Sequence, residues 1–191
     1  MVLLSEHIGE EGRSAVSITL HYVLDFSVLL CIYLIIYFRS LKSRDLWQRI
    51  MCHLAFLYAS LLLFFTLMPF QLPIPRLRCL PVRYNLIPFQ DISLGHLGAR
   101  REALLNVLLF MPMGFFLPEL RKKKFFPCLL ACFLASLSVE TLQLLCSLSG
   151  CPYTRAFDVT DLITNTLGGV LGYGVWLLLR PVTGCIRRRI E

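Results

Sequence analysis

The residues of this chain that are best suited to chemistry lie between Arg155 and Gly172. A cation and two carboxylates, from Asp158 and Asp161, lead directly into an apolar run. Read as a helix, the polar and small residues recur at steps of three and four and therefore share one face. These residues are Asp158, Asp161, Asn165, Gly168 and Gly172. Polar groups above a thin surface that another helix can approach closely indicate a site more than a plain membrane anchor.

A further ionisable group lies inside another apolar run. Glu140 stands among hydrophobic residues, with Gln143 about one turn away on nearly the same face. An ionised carboxylate in hydrocarbon costs about 3 kcal/mol or more, so it must be neutral, paired or hydrated. A protonated Glu140 that only bonds a neighbouring helix is the alternative. We favour a site, because acids inside membranes are usually functional.

Asn106 adds a polar group at a similar depth, at the start of the run Asn-Val-Leu-Leu-Phe-Met-Pro-Met-Gly. Pro112 removes a backbone donor and predicts a kink, and Gly114 permits close packing. Taken alone, Asn106 is explained by a hydrogen bond between helices. Asp158 and Asp161 also have a structural explanation, as a helix cap and a favourable charge in the first turn.

The elements that would position these residues are membrane spans. The sequence is 57% hydrophobic and 16% charged, which is too apolar for a soluble domain. We therefore expect an all-α, polytopic bundle of about five transmembrane helices. The expected spans are Val16–Phe38, Ile50–Phe70, Leu104–Leu120, Phe125–Leu148 and Leu162–Leu179.

Basic residues set the expected orientation, because Lys and Arg gather on the cytoplasmic side of a membrane. They cluster after the first span, after the third span and in the C-terminal tail. We therefore expect the N-terminus outside and the C-terminus in the cytoplasm. The basic clusters suit lipid head groups, and nucleic-acid binding has little support.

This topology brings the polar residues of three spans to the outer half of the membrane. They are Asn106, Glu140, Gln143, Arg155, Asp158, Asp161 and Asn165. Amides suit sugar hydroxyls, and a guanidinium suits a phosphate or carboxylate. Carboxylates that differ in exposure can divide acid and base roles.

The order and spacing of these motifs resemble VanZ-like membrane proteins. The resemblance rests on Asn106-x-x-x-Phe110-x-Pro112-x-Gly114, on the residues around Glu140 and Gln143, and on Asp158-x-x-Asp161-x-x-x-Asn165-x-x-Gly168-Gly169. The upstream Asn85-Leu86-Ile87-Pro88-Phe89 is also similar to theirs. The resemblance covers about Tyr84–Gly174 and does not include the first two spans. We therefore expect an N-terminal region over 1–83, a VanZ-like domain over 84–180 and a basic tail over 181–191.

The resemblance implies action at the cell envelope, in a bacterial cytoplasmic membrane, because the family is named for a member associated with teicoplanin resistance. The first hypothesis is an outward site for a lipid head group or lipid-linked cell-wall precursor, with a link to glycopeptide resistance. The alternatives are an intramembrane hydrolase or transferase that uses Glu140, Asp158 and Asp161, and a small transporter or flippase. A hard cation held by the carboxylates and Asn165 is a further possibility. The eight cysteines show no metal-type spacing. Substrate, cofactor, oligomeric state and a Cys146–Cys151 disulfide stay open.

Overall fold

A computed structural model describes residues 2–68, 84–122, 124–148 and 157–190. Its helices are α1 (Val2–Ile36), which continues as a π-helical turn (Tyr37–Leu41), α2 (Leu46–Thr66), α3 (Gln90–Ser93), α4 (Ala99–Arg121), α5 (Phe125–Leu148) and α6 (Val159–Ile190). Two short strands, β1 (Tyr84–Asn85) and β2 (Phe157–Asp158), pair in parallel. The expected all-α fold class is confirmed, with this strand pair as its small addition.

Five of the described helices are long and apolar enough to cross a membrane. The candidate spans are Thr19–Leu41, Leu46–Thr66, Ala99–Arg121, Phe125–Cys146 and Val159–Ile190. The expected number of spans is confirmed, and the chain is a multi-pass membrane protein. The third and fifth spans, α4 and α6, are longer than the apolar runs in the sequence, because good helix formers such as Ala, Arg and Glu extend the helices beyond those runs.

Consecutive spans run antiparallel, so α4 and α6 run parallel to each other and each end of the bundle collects particular termini. We call one end the site end, where α2 and α5 end and α4 and α6 begin. The other end is the basic end, where α4 passes into α5 through a basic turn. The carboxylate of Glu119 fixes this end, because it accepts hydrogen bonds from the indoles of Trp47 and Trp176, each at 2.9 Å.

The seam between α4 and α6 is the tightest contact in the bundle. Gly114, Gly168 and Gly172 are buried along it. A Cβ atom at Gly172 would fall on the carbonyl oxygen of Met111, and one at Gly114 would fall on that of Gly169. Only glycine allows two helix backbones to approach this closely.

Pro112 and Pro118 both lie inside α4, which continues through them. Because proline lacks an N–H group, Pro118 leaves the carbonyl of Gly114 without its usual helical donor. The thiol of Cys128 on α5 lies 3.8 Å from that oxygen and donates to it. This weak bond joins α5 to the glycine seam.

Helices α1 and α2 lie outside this core. The hydroxyl of Tyr58 on α2 donates to the carbonyl of Leu109 on α4 at 2.9 Å. Tyr33 on α1 lies 3.0 Å from the Nδ1 atom of His53 on α2. The core that positions the polar residues is therefore made by α4, α5 and α6.

Candidate functional site

Asp158 lies just before α6 and not within the helix as expected. It belongs to β2, where it pairs with Asn85 of β1, and the Asn85 amide donates to its Oδ2 at 3.2 Å. Its Oδ1 accepts the backbone N–H of Thr160 at 2.6 Å. Asp158 thus caps α6, since a capping carboxylate accepts from the first free amides of a helix. Helix α6 begins at Val159, one residue after Asp158, because Asp158 must keep an extended backbone to pair with β1.

The side chain of Glu140, on α5, also contacts the start of α6. Only 2% of its surface is exposed, and its Oε2 accepts the backbone N–H of Asp158 at 3.1 Å. The carboxylate of Glu140 is therefore linked to the backbone of Asp158 and not to its carboxylate. The bond fixes α5 against the start of α6, where the helix dipole favours negative charge.

A small cavity of about 20 Å³ lies at the site end, beside Thr160 and Phe89. Four of the residues that line it are acidic, namely Asp91, Glu102, Asp158 and Asp161. By volume it accommodates about one water-sized group. A space of this size and lining can receive a hydrogen-bond donor such as a hydroxyl or an amine.

Phe89 shapes one wall of this cavity. Its backbone adopts a left-handed conformation, with φ of 58°, which is uncommon for a bulky residue. The backbone N–H of Phe89 donates to the Thr160 hydroxyl at 2.9 Å. This bond holds the segment before α3 against the first turn of α6.

The sequence did not predict two of the four acids. Asp91 lies two residues after the Asn85–Phe89 segment, and Glu102 lies in the first turn of α4. Both resemble ordinary charges that flank a membrane span. The signal that could have found Asp91 was its position two residues after the family-like segment.

Asn165 and Gln143 lie apart from this cavity. Asn165 is 3% exposed, and its amide donates to the Ser136 hydroxyl at 3.0 Å. Its Oδ1 is buried without a hydrogen-bond partner in the structure as described. Gln143 is 8% exposed and donates to the carbonyl of Thr66 at 2.9 Å, which satisfies a free carbonyl at the end of α2.

Asn106 does not join the cluster. Asn106 is half-buried on α4 and makes no side-chain hydrogen bond to the residues that the structure describes. It precedes Val107, whose backbone packs on Gly168. Arg155 lies outside the described residues, as does Cys151.

The site end therefore separates into three groups: the acidic cavity with Glu140 beneath it, the Asn165–Ser136 pair, and the Gln143 link to α2. Over the described ranges, no set of three or more His, Cys, Asp or Glu side chains is arranged to hold a metal ion. What the cavity offers is a set of hydrogen-bond acceptors.

Comparison with known proteins places the chain in a family. The VanZ/LLP1 family model matches residues 25–180, so the likeness starts upstream of Tyr84 and includes most of the first span and all of the second. Protein VanZ of Enterococcus faecium is 35% identical over 89 residues, which is 46% of this chain and 48% of that protein. The chain thus spans about half the length of this curated relative. No solved structure matches the chain. The match over most of its length shows that the chain belongs to the VanZ/LLP1 family.

Proposed function

We propose that the chain acts at the envelope of a bacterial cell, where its site end faces outward and binds the polar part of a lipid-linked cell-wall precursor. The observation that carries this proposal is the cavity that four acidic residues line at the start of α4 and α6. The similarity of the chain to Protein VanZ of Enterococcus faecium supports a role in resistance to glycopeptides, including teicoplanin.

The chemistry of the cavity defines which part of a ligand it would take. Ionised carboxylates only accept hydrogen bonds, so they select hydroxyl, amide or ammonium donors. They also repel phosphate, unless a cation lies between. We therefore assign the cavity to a sugar hydroxyl or an amine, and Arg155 to an anionic group of the same ligand.

The cavity is large enough to hold one hydroxyl or ammonium group of the ligand and too small to enclose a whole head group. A volume of about 20 Å³ receives one hydroxyl or ammonium, while the rest of the ligand stays at the membrane surface. Asp161 is half-buried and lies in the first turn of α6, within reach of such a group. The lipid tail would remain in the bilayer beside the bundle.

The burial of Glu140 favours binding over chemistry at this site. A general acid must reach its substrate, whereas Glu140 is 2% exposed and is bonded to the Asp158 backbone. In this proposal Glu140 and Asp158 position the start of α6, and Asp161, with Glu102, contacts the ligand.

The test uses two isosteric variants of the cavity, Asp161→Asn and Glu102→Gln. We expect each to lower the teicoplanin resistance of a bacterium that expresses the chain, because an amide replaces an acceptor with a donor. Binding of a labelled lipid-linked precursor to the purified protein in nanodiscs should fall in parallel. Arg155→Ala should abolish the resistance phenotype at unchanged membrane expression.

The matched control is Asp45→Asn, which removes a carboxylate at the basic end, where Asp45 lies 3.8 Å from Arg187. It should retain resistance and precursor binding. If the cavity variants behave as this control does, the cavity is not the ligand site. Glu140→Gln tests the enzyme alternative: retained binding with lost resistance would favour acid–base chemistry, because Gln can still accept the Asp158 N–H.

A further inference from the structure

A second surface, which shares no lining residue with the acidic cavity, lies between α5 and α6. It is an open groove of about 590 Å³ lined by Phe126, Pro127, Leu129, Leu130, Phe133 and Thr166. The hydroxyl of Thr166 donates to the carbonyl of Leu162 at 2.7 Å, so this residue also presents mainly its methyl group. The groove is therefore apolar along its whole length.

The groove begins at the basic end and runs about one leaflet deep. Phe126 lies in the first turn of α5, and Phe133 follows seven residues later, about 10 Å along the helix. One leaflet of the hydrocarbon core is about 15 Å thick. Thr166 closes the far end of the groove next to Asn165, whose bond to Ser136 marks the middle of the bundle.

The mouth of the groove adjoins a patch of uncompensated positive charge. Arg121, Lys122 and Lys124 lie in the turn between α4 and α5 and are exposed. None of them makes an ion pair within the described ranges of the chain, where Arg187 and His96 supply the cations of the ion pairs found. Arg180, at the same end, stacks on Trp176 at 5.4 Å from the ring centre.

We propose that this groove binds an anionic phospholipid from the leaflet at the basic end. Its acyl chain would lie along Phe126, Leu130 and Phe133, and its head group would contact Lys122 and Lys124. Charge complementarity at the mouth and apolar lining below it match the two parts of such a lipid. A zwitterionic lipid would fill the groove but gain little at the mouth.

The test compares phosphatidylglycerol with phosphatidylcholine of identical acyl chains, by native mass spectrometry of the purified full chain. We expect one phosphatidylglycerol molecule to be retained in preference to phosphatidylcholine. Each cation near an anionic head group contributes about fivefold in affinity, so Lys122→Gln with Lys124→Gln should lower retention about thirtyfold. The variant should lose most of the preference for phosphatidylglycerol.

Two matched controls separate this site from general effects of charge and surface. Arg100→Gln with Arg101→Gln removes the same charge at the site end and should keep the preference. Leu130→Trp, which fills the groove, should lose retention, whereas Leu104→Trp on the outer face of α4 should not; these leucines are 57% and 59% exposed.

Three results would overturn the proposal. These are equal retention of both lipids by the unaltered chain, an equal loss in the Arg100 and Arg101 control, or a dimer whose formation Leu130→Trp abolishes. The last result would assign the groove to a second copy of the chain. None of them bears on precursor binding at the site end, which has its own variants.

Discussion

The glycine seam yields the sharpest prediction about this fold, and Gly172→Ala is the change that tests it. An added Cβ would lie 2.8 Å from the carbonyl carbon of Met111 and 3.1 Å from the Cα of Gly114. Carbon atoms in normal contact lie about 3.5–4.0 Å apart. The obstacle is helix backbone and cannot rotate away, and its nearest atom, the carbonyl oxygen of Met111, lies closer still, so α4 and α6 must separate by more than about 1 Å.

The expected cost follows from these distances. Overpacking of a core costs about 1–3 kcal/mol, and a rigid backbone obstacle belongs at the upper end of that range. Alanine returns about 1 kcal/mol through its better helix propensity. The net loss is therefore about 2 kcal/mol, which lowers the melting temperature of a chain of this size by about 4–8 °C.

Gly174→Ala is the matched control, on the same helix two residues later. An added Cβ at Gly174 meets no atom within 4 Å. This variant gains the helix propensity without the clash, so its stability should stay equal or rise by about 1 kcal/mol. Thermal unfolding of both variants in one detergent measures the difference. Equal melting temperatures for the two variants would refute the close approach of α4 and α6.

Three other predictions concern the ends of the bundle. Glu119→Gln should destabilise the fold by about 1–2 kcal/mol and shift the emission of Trp47 and Trp176, because the amide NH2 leaves one indole N–H without an acceptor and the other indole keeps only a neutral one; unchanged emission would contradict these two bonds. Gln143→Leu should cost about 1–3 kcal/mol, because the carbonyl of Thr66 loses its donor in a buried place, and chemical denaturation measures it. The positive-inside rule places the C-terminus in the cytoplasm, so a green fluorescent protein fused there should fluoresce and an alkaline phosphatase fused there should be inactive. The reverse result would contradict the proposed orientation.

The sequence predicts this fold well where hydrophobicity alone decides. Runs of apolar residues near the length of a bilayer crossing identify the five spans, and small residues at helical spacing indicate the packing face. Helix ends are predicted less well. Ala99–Ala103 and the basic C-terminal turns are helical because of propensity and not apolarity, so a hydrophobic window ends before them.

The site is predicted only in part, because its geometry depends on contacts distant in sequence. Helical periodicity places Asp158 on the face of α6, but pairing between β1 and β2 holds it before the helix. Gln143 looks like a ligand residue, yet it satisfies the carbonyl of Thr66. Glu102 looks like a flanking charge, yet the seam brings it beside Asp161. Periodicity describes one helix at a time, and each of these outcomes depends on two.

The seam also explains why four carboxylates can share one small cavity. Glu102 and Asp161 each lie in the first turn of a helix, α4 and α6 respectively. A helix N-terminus carries a partial positive charge that favours an acid in this place, by about 0.3–1 kcal/mol. Close approach of the two helices brings both N-termini to the cavity, which offsets part of the repulsion among the acids. A change that opens the seam, such as Gly172→Ala, should therefore weaken both the fold and the site, whereas Asp161→Asn should weaken the site and leave the melting temperature nearly unchanged.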